Sequence, residues 1–240
     1  MPFTFSHPAL ILPVTYLPKK WYSLTGLIIG SMTPDFEYFI RMKTLSYYGH
    51  TIAGIFYFDL PLGIILAFIF HNLVRDSLYT NLPVFIQNRL TSFEKFDWNR
   101  FFIKNWIAIS SSIIIGAASH LLWDSFTHKF GYFVQTWPIL TTQIDILHYN
   151  IPVYNILQHT STLIGGLIII FSFFKLPIIV GDINSIDIKY WTVLILMSIT
   201  ILVIRLLTGL DIRLYSQVIV TAISATLISL TVTPILLKKK

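Results

Sequence analysis

The densest set of chemically capable side chains lies in the run Ser119-His120-Leu121-Leu122-Trp123-Asp124-Ser125-Phe126-Thr127-His128. His120, Asp124 and His128 recur at i, i+4 and i+8. At ~100° per residue each step drifts only ~40°, so the three line one face of a helix. An imidazole and a carboxylate at that spacing can share one divalent ion. The competing reading is a set of polar residues at a membrane interface, bonded to neighbouring backbone. Carrying the same stripe backward gives Gly116 and Ser112, small residues that let another helix approach closely.

Four further residues belong with this set. His50, in Gly49-His50-Thr51, opens one apolar segment, and His159, in Gln158-His159-Thr160, opens another. Taken singly, each also reads as an exposed or capping histidine. Asp35 follows Pro34, which biases Thr33 towards extended backbone and makes Asp35 the start of a new turn or helix. There it serves either as a ligand projecting from a kink or as an acid complementing a helix start. His7, in Ser6-His7-Pro8, precedes a short helix. His71 is set apart, because 21 residues separate it from His50. That is ~31 Å along a straight helix, the full hydrocarbon thickness. It is assigned to the inner interface with Arg75. Asp59 is a costly acid at membrane depth and a functional candidate on that ground. Asp145 and His148 read as solvated loop residues.

Something must hold these side chains, and the composition says what. Of 240 residues, 55% are hydrophobic and only 12% charged, against about 25% charged in a soluble protein. Mean hydropathy is +0.71. Disorder, fibrous repeats and an ordinary soluble globule are excluded, and a membrane protein is left. The absence of cysteine excludes disulfides, thiolate metal sites and cysteine nucleophiles. A net charge of +6 orients loops in such a protein and does not point to nucleic acid.

Five segments are long and apolar enough to span a bilayer: residues 52–74, 105–123, 160–180, 191–207 and 214–237. The fold class expected is all-α, a polytopic membrane helical bundle of about five transmembrane helices plus short N-terminal interfacial helices. Ala9–Leu17 and Leu24–Met32 are too short to span alone and are cut by prolines. They lie at the interface or dip into the bundle. A signal peptide is not expected, since no Lys or Arg precedes the apolar run and Pro13 breaks it. Leu82–Leu90 reads as a short amphipathic helix on the inner membrane face. Lys238, Lys239 and Lys240 read as a cytoplasmic stop, which puts 10 of the 17 Lys and Arg inside. That topology gathers His7, Asp35, His50, His120, Asp124, His128 and His159 at the outer rim. Residues 1–180 form a metal-site membrane domain, and residues 181–240 a C-terminal transmembrane hairpin serving as scaffold.

The ordered motifs Phe3-Thr4-Phe5-Ser6-His7-Pro8, Gly30-Ser31-Met32-Thr33-Pro34-Asp35-Phe36-Glu37, Gly49-His50-Thr51, Phe58-Asp59-Leu60-Pro61-Leu62-Gly63, the His120–His128 run and Leu157-Gln158-His159-Thr160-Ser161-Thr162 resemble an uncharacterised bacterial membrane family, domain-of-unknown-function family 4184. More distantly, the pattern is similar to membrane-bound metal-dependent hydrolases and to the all-helical zinc-dependent phospholipase C. That similarity implies His7, Asp35, His50, His120 and Asp124 as ligands, with His128 and His159 as further ones. Two features of the phospholipase have no counterpart, an N-terminal amine ligand and a Trp ligand. Its late His-x3-Glu is also missing, since Leu163 stands four residues after His159.

A His/Asp site without sulfur suits Zn²⁺, and also Mn²⁺, Fe²⁺ or Ni²⁺. A metal-dependent hydrolase with Asp124 and Asp35 as catalytic carboxylates is the expectation. A lipid phosphoester or other amphiphile at headgroup level is its substrate, the bilayer its partner, and the bacterial inner membrane with a cytoplasmic C-terminus its location. The alternatives are a proton-coupled transporter or channel using Asp59 and the histidines as a relay, and a non-catalytic scaffold around a structural metal.

Overall fold

The computed structural model describes residues 3–93, 96–179 and 185–238. Among these the chain is mostly helical, with one short hairpin. In order it forms α1 (Pro8–Ile11), α2 (Leu24–Gly30), α3 (Thr33–Arg41), α4 (Leu60–Ile69), α5 (Arg75–Thr80), α6 (Val84–Leu90), α7 (Trp98–Thr127), α8 (Tyr132–Thr136) and α9 (Pro138–Thr141). Strands β1 (Gln143–Ile146) and β2 (Tyr149–Pro152) follow, then α10 (Val153–Phe174), α11 (Ile188–Leu207) and α12 (Tyr215–Leu237). Five helical stretches are long and apolar enough to cross a membrane: Ile55–Thr80, Trp98–Thr136, Val153–Phe174, Ile188–Leu207 and Tyr215–Leu237. The protein is an all-α membrane protein, as its composition requires. Lys95, Val180, Lys239 and Lys240, used in the charge and span assignments, lie outside the described residues.

The chain divides into two compact units. The first is Met1–Asp35, Tyr47–Ile64 and Asn105–Lys175, and the second is Phe36–Ser46, Ile65–Lys104 and Leu176–Lys240. The stretch read from sequence as a C-terminal hairpin belongs to the second unit.

In the first unit the close approach anticipated at Ser112 and Gly116 is made by α2. A Cβ on Gly116 would lie 2.6 Å from both Leu27 O and Ser31 N. One on Gly26 would lie 2.8 Å from Ile109 O. Ser112 Oγ accepts from Ser23 N at 2.8 Å, and Leu27, Ile109, Ile113 and Ala117 fill the contact, each fully buried. The segment dips against the bundle because three glycines, at 26, 30 and 116, remove the side chains that would hold the backbones apart. Gly116→Val should destabilise the protein by roughly 1–3 kcal/mol through overpacking, read as a lower denaturation midpoint in detergent. The same substitution at Gly166, which has nothing within 4 Å of its Cβ position, should be nearly neutral.

Three local expectations change. Thr33 is helical, not extended, because Pro34 falls in the first turn of α3, where its missing N–H costs nothing. The Thr33 hydroxyl instead donates to Gly30 O at 2.9 Å. Residues 143–152 are an exposed antiparallel hairpin, not loop. Its two turn residues, Leu147 and His148, both have positive φ (53° and 69°), as a type I′ turn requires, and Asp145 Oδ1 accepts from His148 N. The third span begins at Val153, directly after the hairpin and seven residues earlier than expected. This carries His159 into the second turn of α10.

The first span runs on through Pro61. A π-helical turn at Ile55–Asp59 precedes it, with Leu60 N bonding Ile55 O. The wider turn makes room for a ring that would crowd a regular α-turn.

The second unit holds α11 and α12 as an antiparallel pair. Gly209 (φ +103°) ends α11: its N–H reaches Leu206 O, and Leu210 N reaches Arg205 O. This is the paired bonding of a glycine-terminated helix. Ser224 Oγ donates to Phe39 O at 2.8 Å, tying α12 to the end of α3. His71 stacks on Trp98 (4.4 Å between centroids, 7° between planes), with Arg75 Nη1 3.2 Å from its Nδ1. The pairing of His71 with Arg75 expected from sequence is therefore present.

Candidate metal centre

The first unit brings together four side chains from three places in the chain. His120 and Asp124 come from α7, which carries the i, i+4 stripe without interruption through this region. Asp35 comes from the first turn of α3. His50 sits in the turn before Ile55, and Gly49 lets that turn approach Pro34, where a Cβ would meet Pro34 O at 2.5 Å. The Thr51 hydroxyl holds the same turn, donating to Tyr48 O and accepting from Gly54 N, both at 2.9 Å. One ligand atom from each of Asp35, His50, His120 and Asp124 lies within 4.8 Å of all the others.

The individual distances are more telling. Asp35 Oδ1 is 3.3 Å from His50 Nε2 and 3.6 Å from His120 Nε2. Asp124 Oδ2 is 3.5 Å from His50 Nε2 and 3.4 Å from His120 Nε2. Ligand atoms ~2.0–2.1 Å from a tetrahedral ion lie ~3.3–3.4 Å from one another. The same two oxygens and two nitrogens are used throughout, so they outline one position for a cation.

Polar groups around the cluster fix which atoms face inward. His120 Nδ1 is 2.8 Å from Ser31 O. Only an Nδ1–H can donate there, which leaves the Nε2 lone pair for the cluster. The Thr4 hydroxyl donates to Asp35 Oδ2 at 2.5 Å, which turns Oδ1 towards the histidines. His120 Nε2 and Asp35 Oδ1 are buried and form no hydrogen bond with the described residues. Buried polar atoms left this way are costly, and a divalent cation satisfies both at once. The donor set fits Zn²⁺. His50, with its side chain 22% exposed, is the open edge of the site.

His7 and His128 flank the other oxygen of Asp124. His7 Nε2 is 3.6 Å and His128 Nδ1 3.4 Å from Asp124 Oδ1. His7 also stacks on His120 (3.7 Å, 15°). A strap holds it there: Phe3 N donates to Thr162 Oγ1 and Ser6 Oγ to Thr162 O. Gly165 allows this approach, since its Cβ would meet Ser6 O at 2.9 Å. His159 is exposed on α10 and is not among the residues that converge. Its motif contributes Thr162 instead. Glu37 pairs with Arg41 and Ser46, and Asp59 is fully buried in the first span. Sequence reasoning missed Thr4 and Thr162. The only signal for them was their place inside the two motifs that contain His7 and His159.

The protonation of the groups outside the spans follows from this packing. Burial and the adjacent His120 push His7 down to about 3. Burial disfavours the charged form of Asp35, but His120 and His50 outweigh it and hold the carboxyl well below its usual range. Burial likewise opposes the imidazolium of His50, and the Asp124 and Asp35 carboxylates outweigh it, raising its pKa.

The model of the domain of unknown function DUF4184 matches residues 1–235. The chain belongs to that family. In this DUF4184 member the matched stretch includes residues of both compact units and every residue of the candidate metal centre. No curated protein and no solved structure matches the chain.

Proposed function

We propose that this protein is a membrane-embedded, divalent-metal-dependent hydrolase acting on a phosphoester of an amphiphilic, lipid-like substrate. One observation carries the reading: two carboxylate oxygens and two imidazole nitrogens meet at 3.3–3.6 Å, as ligands of one ion would. Asp35, His50, His120 and Asp124 hold the ion, best Zn²⁺, with Mn²⁺, Fe²⁺ or Ni²⁺ accepted by the same donors. When bound, it supplies Lewis-acid polarisation of a phosphoryl oxygen and acidifies water. The chain's own groups do the rest. Asp35 is committed as a ligand, since Thr4 occupies its second oxygen. Asp124 keeps Oδ1 towards His7 and His128. It is the carboxylate placed to take a proton from attacking water, with His128 beside it to relay that proton.

The motif resemblance to metal-dependent hydrolases supports this reading, and so does the setting at the ends of membrane-length helices. The substrate then arrives from the bilayer, and nucleic acid is not a partner. We place the protein in the bacterial plasma membrane with its C-terminus in the cytoplasm. Four protein ligands also suit a purely structural ion, so one experiment must separate the two. Elemental analysis of purified protein should find a stoichiometric divalent metal. Hydrolysis of a short-chain phosphatidylcholine in mixed micelles should fall to background on chelation and return with Zn²⁺. Metal without hydrolysis would support the structural ion, and no metal would end both readings.

A further inference from the structure

A groove of about 300 Å³ lies beside the metal centre within the first unit, at the lower end of ligand-pocket sizes. Leu157, Ser161, Ile164 and Ile168 supply one wall, successive turns of one face of α10 spanning ~16 Å. Leu10 and Trp123 face them. Among the described residues that line it there is no Asp, Glu, Lys or Arg, and the one titratable group is His7, which also touches the cluster through Asp124. Two hydroxyls in its wall are already committed, Ser6 Oγ to Thr162 O and Ser161 Oγ to Gln158 O. Thr160 adds a third hydroxyl, and the rest of the lining is apolar except at the His7 end. Leu10, Ile164 and Ile168 are 41–50% exposed, so it is open along its side. The helices that flank it, α7 and α10, belong to candidate spans, which makes hydrocarbon the medium it opens into.

We propose that this groove holds one acyl chain of a membrane phospholipid, whose phosphate then reaches the metal centre past His7. The proposal rests on the hydrolase reading for the identity of the headgroup site and deepens it: the substrate is a glycerophospholipid bound by its tail, not a soluble phosphoester.

The test uses the full chain in phosphatidylcholine vesicles with a trace of phosphatidylcholine carrying a diazirine in one acyl chain. After irradiation, labelled positions are mapped by peptide mass spectrometry. The expected result is labelling of residues 157–168 at least fivefold above that of Ile188–Leu207, a more apolar helix. Ile164→Trp, which fills the groove, should bring it down to that level with metal content unchanged. If this variant does not fold, Ile168→Phe gives the same reading. Even labelling of all spans overturns the proposal, as does labelling that persists in a folded, filled variant. Labelling needs no turnover. A protein that labels here but hydrolyses nothing refutes the hydrolase reading alone, and one that hydrolyses without labelling refutes the groove alone.

Discussion

Asp124→Ala should strip the protein of its divalent metal and destabilise the metal-free form by about 3–5 kcal/mol, the cost of breaking a buried ion pair from one side. Asp124 faces four imidazoles of the site: Oδ2 faces His50 and His120, and Oδ1 faces His7 and His128. Removing it takes away a ligand and the counter-charge of four imidazoles together. Metal affinity should fall by more than the ~10–100-fold that follows loss of an outer partner. Asp124→Asn keeps the volume and should lose the metal equally, which separates charge from packing. His159→Ala, at an exposed position, should change neither quantity. Elemental analysis and denaturation in detergent read both. Stoichiometric metal retained in Asp124→Ala would remove this carboxylate from the site.

The metal-free protein should be most stable near pH 6.5, and the gain in stability from added Zn²⁺ should grow steadily between pH 6 and 8. His50 has a folded pKa above its unfolded 6.5. Its contribution is complete below pH 6.5 and is lost as pH rises through the folded value. His7 is the reverse, with a folded value of about 3. Below pH 6.5 the unfolded chain takes up a proton that the fold refuses, so stability falls towards pH 3. Asp35, held below its unfolded 3.8, adds stability above that pH and loses it in stronger acid. The ion needs His50 without its proton, so proton and metal compete and affinity rises with pH. Melting curves across pH 4–9, with chelator and with Zn²⁺, test both halves. A metal-free optimum at pH 8 or above, or a zinc effect that shrinks as pH rises, would contradict this assignment.

What could be read from the residues depended on the length scale. The His120–Asp124–His128 stripe and the small residues one and two turns before it are properties of a single helix, and helical periodicity makes them legible. The partner that small residues invite is a question of tertiary packing. Nothing local to Ser112 or Gly116 says that α2 will lie there and bring Ser31 O to His120. His159 was misplaced by boundary: hydropathy starts the third span at Thr160, whereas Pro152 and the hairpin start the helix at Val153. Thr33 was misjudged because a preference against helix before proline yields at a first turn. Thr4 and Thr162 act through single hydroxyls on residues far away in sequence, and no periodicity records such a bond.

The strap that carries His7 has a consequence for biogenesis. His7 leaves the ribosome before its neighbour His128, which follows 121 positions later. At ~5–20 residues per second, translation separates them by about 6–24 s. Thr162, which anchors the strap, comes later still. The ion cannot find its complete cage on a nascent chain with one segment inserted. Loading must await the second hydrophobic segment, which carries His120 and Asp124, so metal capture marks the moment at which the first two segments have met.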